Sequence, residues 1–265
     1  MVKKFFAGGY VFLVLAFMYA PILFLIIFSF TDTTVLGMWN GFTFKLYGKV
    51  FDNRELMNAL WNTVLLAFTS AVCSTVLGTL GAVGIFYSKK RTQKVLNGLS
   101  QIPVVNAEVV TAISLALTFV FVLGRGKLNF GTLLLGHMVL ATPFVVLSVT
   151  PRLKQMDPNL YEAALDLGAT PARALFKVVL PDILPGIFSG FMLAVTLSLD
   201  DYIITQFTRD STFKTLSVYI YDQTKKALPN EIRALCAMIF LIMVLVVVFL
   251  NFRASRKNQK VRQNF

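Results

Sequence analysis

Charge is scarce in this sequence. Asp, Glu, Lys and Arg supply 14% of the 265 residues and apolar residues 56%, which is far from the usage of a water-soluble domain. Cysteine is nearly missing. Cys73 and Cys236 both lie inside apolar runs with no CxxC partner, so a disulfide framework has no support and each reads as a small apolar helix residue. A single histidine, His137, and no HExxH pattern cannot build a metal centre, so His137 reads as a packed or hydrogen-bonded structural residue. A phosphate loop of the form G-x-x-x-x-G-K-[ST] is also missing. Its nearest approach, Gly124-Arg125-Gly126-Lys127, lacks the upstream glycine and the following hydroxyl residue.

What the sequence has is long apolar runs, lying roughly at Tyr10 to Phe30, Ala59 to Tyr87, Leu99 to Leu123, Leu128 to Val149, Ile183 to Phe207 and Ala234 to Phe252. About 18 nearly uncharged residues suffice to cross the hydrocarbon core as a helix. The runs are continuously apolar rather than alternating, and backbone groups in lipid must pair internally, so helices are preferred to a barrel. The expectation is an all-α integral membrane protein of six transmembrane helices. The first run follows Lys3 and Lys4, but it exceeds a signal-peptide core and no small-x-small cleavage site follows, so it is read as the first span.

The net charge of +12 is informative through its placement rather than its sum, and nucleic acid is not the expected partner. With the N-terminus inside, fifteen basic residues fall on the cytoplasmic side: Lys3, Lys4, Lys89, Lys90, Arg91, Lys94, Arg152, Lys154, Arg173, Lys177, Arg253, Arg256, Lys257, Lys260 and Arg262. The short segment from Ser88 to Gly98 and the tail after Asn251 carry bases and no acid, which predicts both termini to be cytoplasmic. The tail from Arg253 reads as a topology and headgroup anchor. The external stretch from Thr31 to Asn58 is rich in aromatic residues suited to the interface or to a shallow docking surface. Gly78, Gly81 and Gly84, with Ser74, predict close helix packing.

The cytoplasmic stretch 151–184 reads as two short helices around a corner. Asp157 is a good N-cap with Pro158 at the first helical position, and Gly168 suits the left-handed residue that ends a helix. Thr170-Pro171 repeats the cap-and-proline signal, and the second helix is expected to end at a Leu180-Pro181 break. Leu160, Ala163, Ala164 and Leu167 form a small apolar face flanked by Tyr161, Glu162 and Asp166, and such a face calls for a partner.

Within this stretch Glu162, Ala163, Ala164, Gly168, Val178, Leu180 and Pro181 resemble the EAA motif of ABC importer permeases, with Val178 in place of the usual isoleucine. The resemblance implies that Tyr161, Glu162, Ala163, Ala164, Asp166, Leu167 and Gly168 belong to a coupling helix that docks on a cytoplasmic ATPase. Three acids also lie within predicted spans: Glu108, Asp200 and Asp201. Carboxylates at membrane depth are disfavoured by about 3 kcal/mol on insertion scales, so such groups face an aqueous path or a partner. Neighbouring helix positions differ by about 100° in direction, so one of the two aspartates is expected to face a path.

The segment WNGFT with Tyr47 downstream, the stretch Pro143 to Lys154, the EAA segment and SLDDYIITQF together resemble the second permease of the spermidine and putrescine importers, over most of the chain. The resemblance implies the type I ABC importer permease (MetI-like) fold as a single transmembrane domain in a bacterial inner membrane. It implies a second homologous permease, two copies of a cytoplasmic ATPase that hold ATP and Mg, and an extracytoplasmic substrate-binding protein. This chain itself would hold no cofactor and perform no catalysis, and Glu108, Asp200 and Asp201 would line a polyamine path. The competing expectations are an importer of the same architecture for another solute, such as iron or thiamine, and an ion-coupled secondary transporter acting alone. The acids speak against an anion carrier.

Overall fold

The structure, a computed structural model, describes residues 2–33, 38–124, 126–157, 159–225 and 229–263; for residues 2–8, 246–247 and 249–263 it describes the backbone alone. Pro158, Arg125 and Lys226 therefore lie outside the described residues, as do the side chains of Lys3, Lys4 and the basic tail. The described regular structure is helical throughout. The chain divides into two compact units, Met1–Met57 with Ile220–Phe265, and Asn58–Tyr219.

In the first unit, α1 (Val2–Phe28) and α2 (Lys45–Asp52) both pack on α12 (Asn230–Gln263). The aromatic stretch predicted as an interface anchor folds on itself. Phe30 stacks on Phe42 at 5.2 Å, Phe44 meets Phe42 edge-on at 5.0 Å, and Tyr47 closes the group at 5.4 Å from Phe30. The Tyr47 hydroxyl is hydrogen-bonded to Ser29 Oγ at 2.7 Å, and Lys49 pairs with Asp32 at 3.2 Å. Lys49 holds the Asp32 carboxyl below the usual carboxylate range. Asn230 Nδ2 also reaches Asp32, and the Arg233 guanidinium donates to the Thr33 carbonyl, so the loop after α1 is tied to the start of α12.

The second unit is built around α6 (Phe130–Gln155). Its buried residues Leu133, His137, Ala141, Val145, Val149 and Leu153 recur every four positions and make one stripe. A matching stripe on α9 (Leu180–Asp200) consists of Ile183, Gly186, Gly190, Ala194 and Ser198. Small residues let the two backbones approach. A Cβ at Gly190 would lie 3.1 Å from Val145 Cγ1, and one at Gly186 would lie 3.1 Å from the Ser148 carbonyl. On α3 (Arg54–Phe86) the predicted small-residue stripe narrows to one position. A Cβ at Gly78 would meet Val145 Cβ at 2.6 Å, whereas Gly84 faces open space.

Three expectations about continuity are corrected. The run Leu99 to Leu123 is two helices, α4 (Lys90–Val105) and α5 (Glu108–Leu123), which meet at 103°. Pro103 weakens the last turn of α4, and Asn106 and Ala107 are both extended. Second, the predicted Leu180-Pro181 break is no break: α8 (Pro171–Ala174), a π turn (Leu175–Val179) and α9 form one helical run of 30 residues. The Leu180 N–H bonds to the Leu175 carbonyl, and the run passes through Pro181, whose missing N–H falls directly after this widened turn.

Third, the run Ile183 to Phe207 ends its helix at Asp200. Asp201 is extended, with ψ 128°, and a short α10 (Ile203–Thr208) begins afterwards. The remaining elements are α7 (Asn159–Asp166) between α6 and α8, and α11 (Leu216–Thr224) before α12.

Among the described residues, four helices are long and apolar enough to cross a membrane: Gly9–Phe28, Arg54–Phe86, Phe130–Gln155 and Pro171–Asp200. The bent pair α4 and α5 makes a fifth if it is one span. The sixth predicted run, Ala234 to Phe252, lies in α12, many of whose side chains fall outside the description.

Candidate functional site

Both corrected breaks of the long apolar runs open on one place. A cavity of about 510 Å³ is lined by the end of α4 (Pro103, Val104, Asn106), the start of α5 (Glu108, Thr111), Leu140 and Phe144 of α6, and the end of α9 with its connection to α10 (Leu197, Asp200, Asp201, Tyr202, Ile203). All three acids predicted to line a path are there, and no lysine or arginine is among the lining residues.

The backbone brings helix ends of both signs to the cavity, since the first turns of α5 and α10 border it as well. The last turns of α4 and α9 border the cavity, and a helix C-terminus carries about half a negative charge on its unpaired carbonyls. Glu108 stands in the first turn of α5, whose positive N-terminal end holds a carboxylate in place. Asn106 Nδ2 donates to Thr111 Oγ1 at 3.2 Å, bridging the corner between α4 and α5. Three carboxylates that share a cavity with no basic side chain repel one another, and a cation is what would relieve them.

The two adjacent aspartates have different surroundings. Asp200 is exposed to the cavity. Asp201 is only 5% exposed, and its carboxylate accepts from the Ile204 N–H at 3.1 Å, the Thr205 N–H at 2.8 Å and the Thr205 hydroxyl at 2.8 Å. From the position ahead of the Tyr202 N-cap it thus takes up two of the free N–H groups in the first turn of α10. Behind it lies a buried polar chain that sequence reasoning did not find. His137 Nε2 is 2.9 Å from Thr205 Oγ1 and 3.4 Å from Asp201 Oδ2, His137 Nδ1 is 2.7 Å from Ser198 Oγ, and Ser198 is 3.0 Å from Ser70 Oγ on α3. His137 is thus hydrogen-bonded and fully buried, as read from the sequence. The four-residue stripe on α6, which includes His137, was the available signal for its inward position.

The second predicted site sits apart, at α7. Asp157 Oδ1 accepts from the Asn159 N–H at 2.9 Å, and Thr170 accepts from the Arg173 N–H, so both predicted caps are in place. Gly168 has φ +85°, the left-handed conformation that ends α7, and the Gly168 and Ala169 N–H groups bond back to the Leu165 and Ala164 carbonyls. Glu162, Ala163, Asp166 and Leu167 are exposed, and Leu167 shows 90% of its surface. Ala164 departs from the expected outward face: it is half-buried together with Leu165 and Tyr161. The Tyr161 ring lies 5.0 Å from Tyr87, which anchors α7 to the end of α3.

This architecture has counterparts among known proteins. Residues 74–263 match the family described as binding-protein-dependent transport system inner membrane component. The spermidine/putrescine transport system permease protein PotC of Escherichia coli K12 is 34% identical over 260 residues, covering 98% of this chain and 97% of that one. The chain belongs to the permease family of binding-protein-dependent ABC importers, on its spermidine/putrescine branch. The putrescine transport system permease protein PotI of the same organism is 33% identical over 84% of this permease and 81% of its own length. Among solved structures, a chain of a bacterial ABC transporter that imports the acidic polysaccharide alginate superposes with a TM-score of 0.74 at 18% identity, covering 97% of this permease and 95% of that chain. At that identity the likeness concerns the fold. The permease is accordingly a membrane protein of an importer rather than an enzyme.

Proposed function

We propose that this permease carries a polyamine, spermidine or putrescine, across a bacterial inner membrane through the carboxylate-lined cavity. The observation that carries the reading is the cavity's composition: Glu108, Asp200 and Asp201 and no basic side chain, at the breaks of two apolar helices. Broken helices near mid-membrane are where transporters place ion and substrate sites, because unwound backbone is tolerated only beside a cavity. A flexible polycation would place successive ammonium groups against separated carboxylates. The names of the relatives PotC and PotI support the same substrate class.

In this proposal the chain makes six spans with both termini cytoplasmic. It pairs with a second, homologous permease, receives its substrate from an extracytoplasmic binding protein and docks on two ATPase subunits, which hold ATP and Mg. The exposed side of α7, with Glu162, Ala163, Asp166 and Leu167, meets the ATPase. Gly168 and the Thr170 cap set the angle at which α7 joins the run from Pro171 to Asp200. A rigid displacement of α7 is then passed along that run to its far end, where Asp200 borders the cavity. Arrival of ATPase closure at the substrate site is thereby a matter of one helix.

The test is ATP-driven uptake of labelled spermidine and putrescine into vesicles holding the complete complex, with native chain, Glu108→Gln and Asp200→Asn compared. Accumulation by the native complex and its loss in assembled variants is expected. Native vesicles that ignore polyamines but respond to another cation would retain the permease and overturn the substrate.

A further inference from the structure

We propose that His137 is a positioning residue for the substrate cavity: held as the neutral Nε2–H tautomer, it carries a one-way hydrogen-bond chain that fixes Asp201 at the break between α9 and α10. This rests on the reading of the cavity as the substrate site. The direction of the chain follows from counting hydrogens. The Asp201 carboxylate accepts all three of its short hydrogen bonds, so the single Thr205 hydroxyl hydrogen points to Asp201 Oδ2. Thr205 Oγ1 must then accept from His137 Nε2–H across 2.9 Å. In a neutral imidazole Nδ1 is left as an acceptor, and it receives the Ser198 hydroxyl hydrogen across 2.7 Å. Ser198 Oγ, having donated, accepts from Ser70 at 3.0 Å.

Every member is satisfied in this arrangement, from Ser70 on α3 through Ser198 on α9 and His137 on α6 to Thr205 and Asp201. The four-residue stripes of α6 and α9 place His137 opposite Ser198 at the end where α9 stops. An imidazolium would have to turn the Ser198 hydrogen to Ser70 and the Ser70 hydrogen to the Ala67 carbonyl, a longer contact of 3.2 Å, and the Nδ1–H tautomer sets a bare Nε2 against Thr205 Oγ1, two acceptors facing each other across 2.9 Å. Buried networks of this kind are stable when complete and costly when one member is missing. Because Asp201 caps α10 while Asp200 ends α9, a fixed Asp201 leaves its neighbour Asp200 turned to the cavity. The division of labour is that Asp200 and Glu108 meet the cation and Asp201 holds the corner.

His137 is the chain's only histidine, so its ring can be observed directly. The complete complex labelled with ¹⁵N-histidine, with the spectrum of an identically labelled His137→Gln complex subtracted, should show one protonated Nε2 and one unprotonated, acceptor-type Nδ1. An imidazolium or an Nδ1–H signal overturns the proposal on the native protein, whatever the variants do. In vesicle uptake, His137→Ala should raise the half-saturating spermidine concentration roughly tenfold, the lower end of what losing an outer partner of a binding group costs. His137→Gln, whose side-chain amide can still donate to Thr205, should recover most of that loss. Native half-saturation in assembled His137→Ala overturns the positioning role. If Glu108→Gln and Asp200→Asn import as the native chain does, the cavity reading itself has failed, and the transport part of this inference fails with it, while the tautomer signal still reports on the chain.

Discussion

The corner at Glu162–Gly168 and the carboxylate cavity belong to the same compact unit and are built in opposite ways. The corner is local: Asp157, Gly168 and Thr170 each satisfy or terminate backbone within a few residues, and α7 then turns its charged side outward. The cavity is assembled from five helices, and Glu108 and Asp200 reach it from positions far apart in the chain, so nothing short-range holds one beside the other. Damage to the corner should leave the fold standing and change what docks there. Damage to the cavity should divide by residue, between groups that meet the cation and groups that hold the walls.

The largest effect is expected for the double variant Glu108→Gln with Asp200→Asn. Two charge-assisted contacts at about 1.5–3 kcal/mol each predict a loss of polyamine uptake of at least roughly a hundredfold, with melting of the complex little changed. Collapse of the fold in this variant would make the acids structural and erase the contrast.

Next is Gly168→Val, which forces a β-branched residue to φ +85° at a cost of about 1–2 kcal/mol or more. Substrate-stimulated ATPase activity should fall about tenfold. Capture by the binding protein should remain, and an unchanged ATPase rate would remove the corner from the coupling path.

A smaller and more selective effect concerns Asp201. Loss of the cap in Asp201→Ala should lower stability by about 1 kcal/mol, whereas Asp201→Asn, whose amide oxygen still accepts, should recover part of it. Equal loss in both variants would show that the charge matters more than the cap. The least effect on stability belongs to Leu167→Ser, below about 0.5 kcal/mol because the side chain touches little. Its readout is weaker ATPase docking in a pull-down of the assembled subunits.

The legible parts of the sequence were those whose physics is short-range. Caps at Asp157 and Thr170, the left-handed turn at Gly168 and the apolar runs each depend on residues within a turn or two. The three acids stood out because their cost in an apolar run is high wherever the chain goes. The break after Asp200 was hidden because no glycine or proline marks it. Its signal was Asp201, an acid just ahead of the short helix Ile203 to Thr208, masked by a longer apolar run. The Leu180-Pro181 pair misled in the other direction, since a π turn absorbs the proline.

By itself the sequence determined an all-helical membrane chain, a capped corner and a short list of acids, because hydropathy, capping and the solvation cost of charge act residue by residue. Only the tertiary structure decided that the α4–α5 and α9–α10 breaks face each other, that Asp200 opens to the cavity while Asp201 caps a helix, and that His137 joins Ser198 to Thr205. Those outcomes depend on the register of α9 against α6 through Gly186 and Gly190, and a register between helices is a property of packing that no single stretch of chain contains.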